Sequence, residues 1–120
     1  VGVFSWEVDL QSCIFCLVAE KKVDSRIIYE DDISLAFMDI NPVAPFHALV
    51  IPREHIRSLD EVRDFNLVSH LLYVCKLVAQ EQGLEKGYRV VTNIGDDGGQ
   101  TVFHLHFHVI GGRPMNWPPG

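Results

Sequence analysis

The stretch His104-Leu105-His106-Phe107-His108-Val109-Ile110 decides how this chain is read. Three of its six histidines stand there at every second position, with apolar residues between them. In a strand, successive side chains turn to opposite faces. His104, His106 and His108 then share one face, and Leu105, Phe107 and Val109 pack on the other. Neighbouring imidazoles are roughly 7 Å apart and the outer two roughly 13 Å. The outer pair is therefore poorly spaced to ligate one ion. The row reads as three jobs at three places, with the middle ring central to the chemistry. One histidine in such a strand is an ordinary outward polar residue; three in register ask for another explanation.

A neutral imidazole beside an anion cradle suits phosphoryl or nucleotidyl transfer. Unprotonated histidine is a good nucleophile and forms a labile phosphorus–nitrogen bond. Its ordinary pKa of about 6.5 leaves it mostly free base at neutral pH. Two protonated rings about 7 Å apart repel by roughly 2 kcal/mol at an effective dielectric of about 20, so a row of histidines favours mixed protonation. The preceding stretch supplies the cradle. Asn93, Gly98, Gly99, Gln100 and Thr101 lie just before His104. Glycines let backbone N–H groups approach a phosphate, and Asn and Thr add neutral donors that stabilise charge on its oxygens. Read alone, "DDGGQT" is an ordinary turn.

Working outward, the pattern is α+β. "CIFCLVAEK" reads as a short helix with Ile14, Leu17 and Val18 on one side. "RIIYED" and "SLAFMD" read as two strands joined at Asp31-Asp32. "NPVAP" is a turn, because Pro42 and Pro45 cannot donate to a ladder. "FHALVIP" is a third strand. From about Asp60 to Gln82, Phe65, Val68, Leu71, Leu72, Cys75, Val78 and Ala79 recur at threes and fours, a long amphipathic helix that Gly83 stops. "GYRVVTNIG" is a fourth strand and "HLHFHVIGG" a fifth. The expected architecture is one domain over 13–120, with 1–12 as an N-terminal extension. It has a mostly antiparallel five-stranded sheet, one long helix and a short N-terminal helix.

Composition narrows the function. Apolar residues make up 48% of 120, enough for a packed core and against disorder. Sixteen acidic against ten basic side chains give a net charge of −6, which disfavours direct binding to nucleic acid or anionic membrane but not to one small phosphate ligand. No apolar run approaches the roughly 20 residues of a membrane span, and "VGVFSWEVDLQS" has no secretory-signal pattern. Three cysteines do not suit a disulfide framework. An intracellular, cytoplasmic protein is expected, with Cys75 as a small core residue and Cys13-x-x-Cys16 as half of a zinc site.

The alternating row resembles the signature of the histidine triad (HIT) superfamily. "YEDD", "AFMDINPVAP", "HALVIPREHI" and "DDGGQTVFHLHFHVIGGRPMNWPPG" resemble its Hint branch, the histidine triad nucleotide-binding phosphoramidases. The resemblance runs from about Cys13 to Gly120. It implies a homodimer whose two sheets join, acting on purine nucleoside phosphoramidates such as an adenylate-amine, or on aminoacyl-adenylates. His106 aligns with the nucleophile, His108 with the histidine near the leaving group, and His47 with a further active-site histidine, and His104, first of the row, is counted with them among the catalytic candidates. Asn93, Gly99 and Thr101 align with phosphate contacts. Asp39 aligns with the carboxylate on the ribose hydroxyls, though read alone it caps a turn before Asn-Pro. Ile14, Phe15, Val18, Phe37 and Ile40 align with the nucleoside pocket. Trp117, in its Pro-rich tail, is expected to reach towards the partner subunit's leaving-group site. Thr101 stands where many members carry Ser. Phe46 stands where Gly or Thr is common, a bulkier ring whose effect on specificity the sequence leaves open.

A relative of that superfamily, galactose-1-phosphate uridylyltransferase, resembles this chain in two cysteines, a following histidine and the first histidine of its row. The resemblance completes a structural zinc site as Cys13, Cys16, His55 and His104. Besides phosphoramidate hydrolysis, two other functions fit these residues: hydrolysis of a dinucleoside polyphosphate, and nucleotide sensing or scaffolding with incidental hydrolysis.

Overall fold

The computed structural model describes residues 13–120; the N-terminal extension read from the sequence lies outside the described residues. Strands β1 (Ile27–Glu30), β2 (Ser34–Met38), β3 (Phe46–Pro52), β4 (Tyr88–Val91) and β5 (Phe107–Gly111) form one sheet in the order β1-β2-β3-β5-β4. Every pairing is antiparallel. Helices α1 (Ile14–Ala19) and α2 (Phe65–Glu81) complete the α+β architecture expected from the sequence.

Central β3 is buried along its whole length, so both of its faces must be covered. On one face Ala48 and Val50, with Ala36, Phe107 and Val109, pack under Leu71, Val74, Cys75, Val78 and Ala79 of α2. On the other, Leu49, Ile51, Leu35 and Phe37 pack under Phe15, Val18 and Ala19 of α1. Helix α1 is only six residues long and covers part of that face. His47 alternates with Leu49 and Ile51 and so stands on the same side. Phe46 alternates the other way. Its ring lies in the α2 core, 7% exposed, on the face away from His47.

The long helix starts later than its apolar spacing suggests. Ser58 accepts from the Asp60 N–H and caps a short 3-10 turn over Leu59–Glu61. Asp64 then accepts from the Asn66 N–H and caps α2. Its far end closes with Gly83 at φ +69° and Leu84 N–H donating to Ala79 O, a left-handed stop that suits glycine. Phe65 and Leu72 fit the spacing yet are 60% and 45% exposed, because the packed stripe runs through Leu71, Val74, Cys75 and Val78. In α1 the buried side is Phe15, Val18 and Ala19 rather than one containing Ile14.

One polar cluster ties the β1–β2 turn to α2. The Asp31 carboxylate accepts from Tyr29 Oη (2.7 Å), the Ile33 and Ser34 N–H groups, Ser34 Oγ (2.9 Å) and His70 Nε2 (2.8 Å). Arg53 donates to Asp31 O and Ala19 O, which carries the link on to the end of α1. Burial works to raise the Asp31 carboxyl, but these hydrogen bonds outweigh it and hold the group well below the usual carboxylate range. A depressed carboxyl stabilises the fold above its unfolded pKa, and that contribution disappears as pH falls. Asp31→Asn should therefore cost about 1–3 kcal/mol at pH 7 in urea unfolding, and the gap to wild type should begin to narrow below about pH 4 and go on narrowing as pH falls further. Equal stability at pH 7, or a gap as wide at pH 2 as at pH 7, would contradict this role.

Candidate functional site

The histidine row begins before its strand. His104 and His106 precede β5, which starts at Phe107. The backbone there bonds to loops rather than to a ladder: Leu105 N–H donates to Ile56 O (2.6 Å), and Thr92 Oγ1 donates to His106 O (2.8 Å). β4 ends at Val91 accordingly, short of the run read from the sequence. Alternation nevertheless persists. Leu105, Phe107 and Val109 enter the α2 core, and Phe15 of α1 touches the rings of both His104 and His106. Leaving the flat strand path brings the rings closer than extended geometry implies, with His106 and His108 centroids 5.0 Å apart.

Each ring's hydrogen bonds identify the nitrogen that carries its proton. A carbonyl only accepts. His104 Nε2–H therefore donates to Pro52 O (2.9 Å), and its Nδ1 lone pair faces Cys13 Sγ (3.4 Å) and Cys16 Sγ (3.5 Å). His106 Nδ1–H donates to His104 O (2.6 Å), which leaves Nε2 with a free lone pair. His47 Nδ1 accepts from the Val43 N–H (3.2 Å), so its proton is on Nε2 and points to His108 Nδ1 (2.8 Å). His108 in turn carries its proton on Nε2. His106 thus presents a bare nitrogen and His108 an N–H; the mixed protonation expected from the sequence is not found, because burial keeps both rings neutral.

Burial is the main electrostatic influence. It lowers His106, outweighing the favourable bond to His104 O and the charge of Asp39. It lowers His47 against Asp39. It pushes His108 down to about 4, helped by His106 and His47. His104 also falls to about 4 through burial, against the bond to Pro52 and with His55 and His106 adding to the shift. All four rings are neutral at pH 7.

Cys13, Cys16, His55 and His104 bring four ligand atoms within 4.8 Å of one another. Cys16 Sγ is 3.3 Å from His55 Nδ1. A tetrahedral zinc with bonds of about 2.3 Å to sulfur and 2.0–2.1 Å to nitrogen has sulfur–nitrogen edges of about 3.6 Å. The observed sulfur–nitrogen separations of 3.3–3.5 Å approach that value. Pro52 O fixes the His104 tautomer with the correct nitrogen inward, as a second layer around a metal does. The four residues thus fit zinc. Asp39, His47 and His108 also cluster. There the Val43 N–H occupies His47 Nδ1, so a metal on Nε2 would require an imidazolate. Hydrogen bonding explains that cluster.

The remaining residues divide by position. Phe15 and Phe37 meet edge to face at 5.3 Å and are buried with Val18 beside His106. Asp39 uses one oxygen to accept from the Asn41 N–H, capping the turn, and holds the other 3.4 Å from His47 Nε2. Ile14, Ile40 and Trp117 are 44%, 87% and 83% exposed, outside the buried cluster. Asn93 Nδ2 donates to Gly98 O and so braces the loop. Gly98 has no room for a side chain, since a Cβ would lie 2.3 Å from Ile94 O. Gly99 sits at φ +79°, and Thr101 is exposed at the loop's end.

Two arginines escaped the sequence reading. Arg89 and Arg113 line a cavity of about 490 Å3 beside His47 and His108. Alternation in β4 was the available signal, but it required the register: Arg89 and His47 both pair with Ile110.

This is a small sheet-and-helix protein with a histidine centre and a cysteine–histidine centre that meet at the segment carrying His104, His106 and His108. Comparison with known proteins agrees. The chain belongs to the HIT family: the family model described as HIT domain matches residues 20–115. It is 48% identical over 117 residues to a 14 kDa zinc-binding protein of Zea mays, covering 94% of this chain and 91% of that one. A second 14 kDa zinc-binding protein, from Brassica juncea, is 48% identical over 111 residues, covering 89% and 98%. Among solved structures, a HIT family hydrolase from Legionella pneumophila superposes with a TM-score of 0.88 at 45% identity, covering 91% of this chain and all of that one. A hypothetical histidine triad nucleotide-binding protein from Sulfolobus tokodaii superposes with a TM-score of 0.78 at 35% identity, covering 88% and 72%.

The metal centre makes a stoichiometric prediction. Purified protein should carry close to one equivalent of zinc by elemental analysis. Cys16→Ser should lose it and Cys75→Ser keep it, because Cys75 lies buried in the α2 core. Equal zinc in all three proteins would contradict the assignment.

Proposed function

We propose that this protein is a nucleotide hydrolase, and that it cleaves the P–N bond of purine nucleoside phosphoramidates through a covalent nucleotidyl-histidine. The observation that carries the reading is the pair of fixed tautomers, His106 with a free Nε2 and His108 with an Nε2–H. His106 Nε2 attacks phosphorus and the P–N bond breaks; the departing nitrogen, hydrogen-bonded by His108 Nε2–H, leaves as the amine with a proton drawn from solvent, and the water that later attacks phosphorus returns one proton to solvent. His47 supports this by donating Nε2–H to His108 Nδ1, which keeps the His108 proton on Nε2. Water then attacks the phosphorus, the nucleoside monophosphate leaves and His106 is regenerated. A neutral His106 at pH 7 suits the attack.

Phe15, Val18 and Phe37 supply an apolar wall for a purine, with Ile14 and Ile40 at its rim. Asp39 accepts from the ribose hydroxyls, and Asn93, Gly99 and Thr101 hold the phosphate. The amine, or an aminoacyl group, occupies the cavity beyond His108. Names of structural relatives agree with this class: one is a HIT family hydrolase and another a hypothetical histidine triad nucleotide-binding protein. Zinc at Cys13, Cys16, His55 and His104 supplies a fixed cross-link, as the names of the plant relatives also suggest. The protein works as a homodimer joined at edge strand β4, whose Tyr88 and Val90 are 40% and 38% exposed. Trp117 then reaches the partner's site. No helix among the described residues is long and apolar enough to cross a membrane.

The test is a substrate panel. His106→Ala should reduce turnover of an adenosine phosphoramidate by at least 1,000-fold, on the order of the loss when a nucleophile is removed, while AMP still binds. Undiminished turnover would overturn the nucleophile. A higher kcat/KM on a dinucleoside polyphosphate would replace the substrate, and tight AMP binding without turnover of any amine ester would favour a sensor.

The pH profile is a separate check. Burial lowers His106, so its base form persists to lower pH than in a free histidine. The acid limb of kcat/KM should therefore fall below about pH 6.5. A limb above pH 7 would contradict a buried neutral nucleophile.

A further inference from the structure

We propose that the Cys13–Cys16 turn is a positioning element for the nucleophile, acting through Phe15 and the His104 backbone, so that metal and nucleotide bind cooperatively. The inference rests on the nucleotide reading above and goes beyond it.

Two physical paths run from the metal ligands to His106. The first is the His104 residue itself. Its ring offers Nδ1 to the thiols, and its carbonyl holds His106 Nδ1–H at 2.6 Å. Any rotation of that residue moves both. The second path is Phe15, which lies between the two cysteines in sequence. Its ring meets His106 edge-on at 5.1 Å and 87°, His104 at 6.0 Å and Phe37 at 5.3 Å. It is 7% exposed and touches His106 more closely than it touches either other partner.

Helix α1 has little to hold it in place otherwise. Six residues are far too few for a helix to persist on its own propensity. Its anchors are Phe15, Val18 and Ala19 in the sheet face, Arg53 on Ala19 O, and the two cysteines facing His104 and His55. A cation joining all four ligands fixes the cysteines to the segment that carries the nucleophile. Without it, the two sulfur anchors reduce to contacts of 3.3–3.5 Å, and Phe15 is held against His106 by its packing on the sheet face alone. The same ring belongs to the proposed purine wall, so ordering it for the metal also orders it for the nucleotide. Coupling of this kind is reciprocal: each ligand must raise the other's affinity by the same factor.

The experiment uses full-length protein, with AMP as the nucleotide probe. AMP affinity is measured by calorimetry on zinc-loaded and chelator-stripped protein, and zinc affinity by chelator competition with and without AMP. Stripping should weaken AMP binding about 5-fold or more, and AMP should tighten zinc by the same factor. In cobalt-substituted protein, AMP should shift the thiolate-to-cobalt charge-transfer band. At AMP concentrations that saturate the variant, Phe15→Ala should keep its equivalent of metal but lose that shift and the coupling. Equal AMP affinity in loaded and stripped, folded protein would overturn the proposal. If stripping unfolds the chain, a cobalt band indifferent to AMP, or one that still responds in Phe15→Ala, overturns it instead. Loaded wild-type protein that binds no AMP would overturn the nucleotide reading, and this proposal with it. AMP binding without coupling leaves the nucleotide reading standing.

Discussion

The hydrogen bond from His106 Nδ1–H to the carbonyl of His104 is the constraint on which the site depends. A neutral imidazole has one proton and two places for it. This 2.6 Å bond selects one and leaves Nε2 as a lone pair. The selection is local, made by a backbone atom two residues away. That is why histidines at alternate positions can differ in chemistry while sharing a face. His104 has its own proton fixed by Pro52 O and His108 by His47, so the row is an ordered series of donors and acceptors.

The surrounding fold makes that order stable. Leu105, Phe107 and Val109 anchor the segment in the core under α2. The Leu105–Ile56 and Thr92–His106 bonds hold it away from regular ladder pairing. Burial then lowers all four neighbouring rings of the site, keeping them uncharged where a protonated nucleophile would be inert. Together these features describe a segment held from three directions: core, loop backbone and metal-ligating turn.

Much of this was legible in the sequence because it depends on period and punctuation. Strand β3 was read as Phe46–Pro52 and is found there, bounded by Pro45 and ended by Pro52. The ligand group was legible too, because the Cys13-x-x-Cys16 spacing and a family resemblance pointed to His55 and His104. What escaped depends on tertiary hydrogen bonds. Periodicity could not show that His104 and His106 leave the ladder, since Ile56 and Thr92 are distant in sequence. Nor could it place the helix start at Phe65, because Asp60 and Asp64 are both plausible caps and Ser58 diverts the first into a 3-10 turn. The side on which Phe46 packs follows from strand alternation with His47, which puts its ring on the far face. Arg89 became visible only when the register set it in a row with Ile110 and His47.

The most direct test is the protonation state of the His106 ring. Long-range proton–nitrogen correlation on 15N-histidine-labelled protein at pH 7 distinguishes the two neutral tautomers and the cation. The account predicts a neutral His106 with its proton on Nδ1 and a bare Nε2. A proton found on Nε2, or a cationic ring, would contradict it.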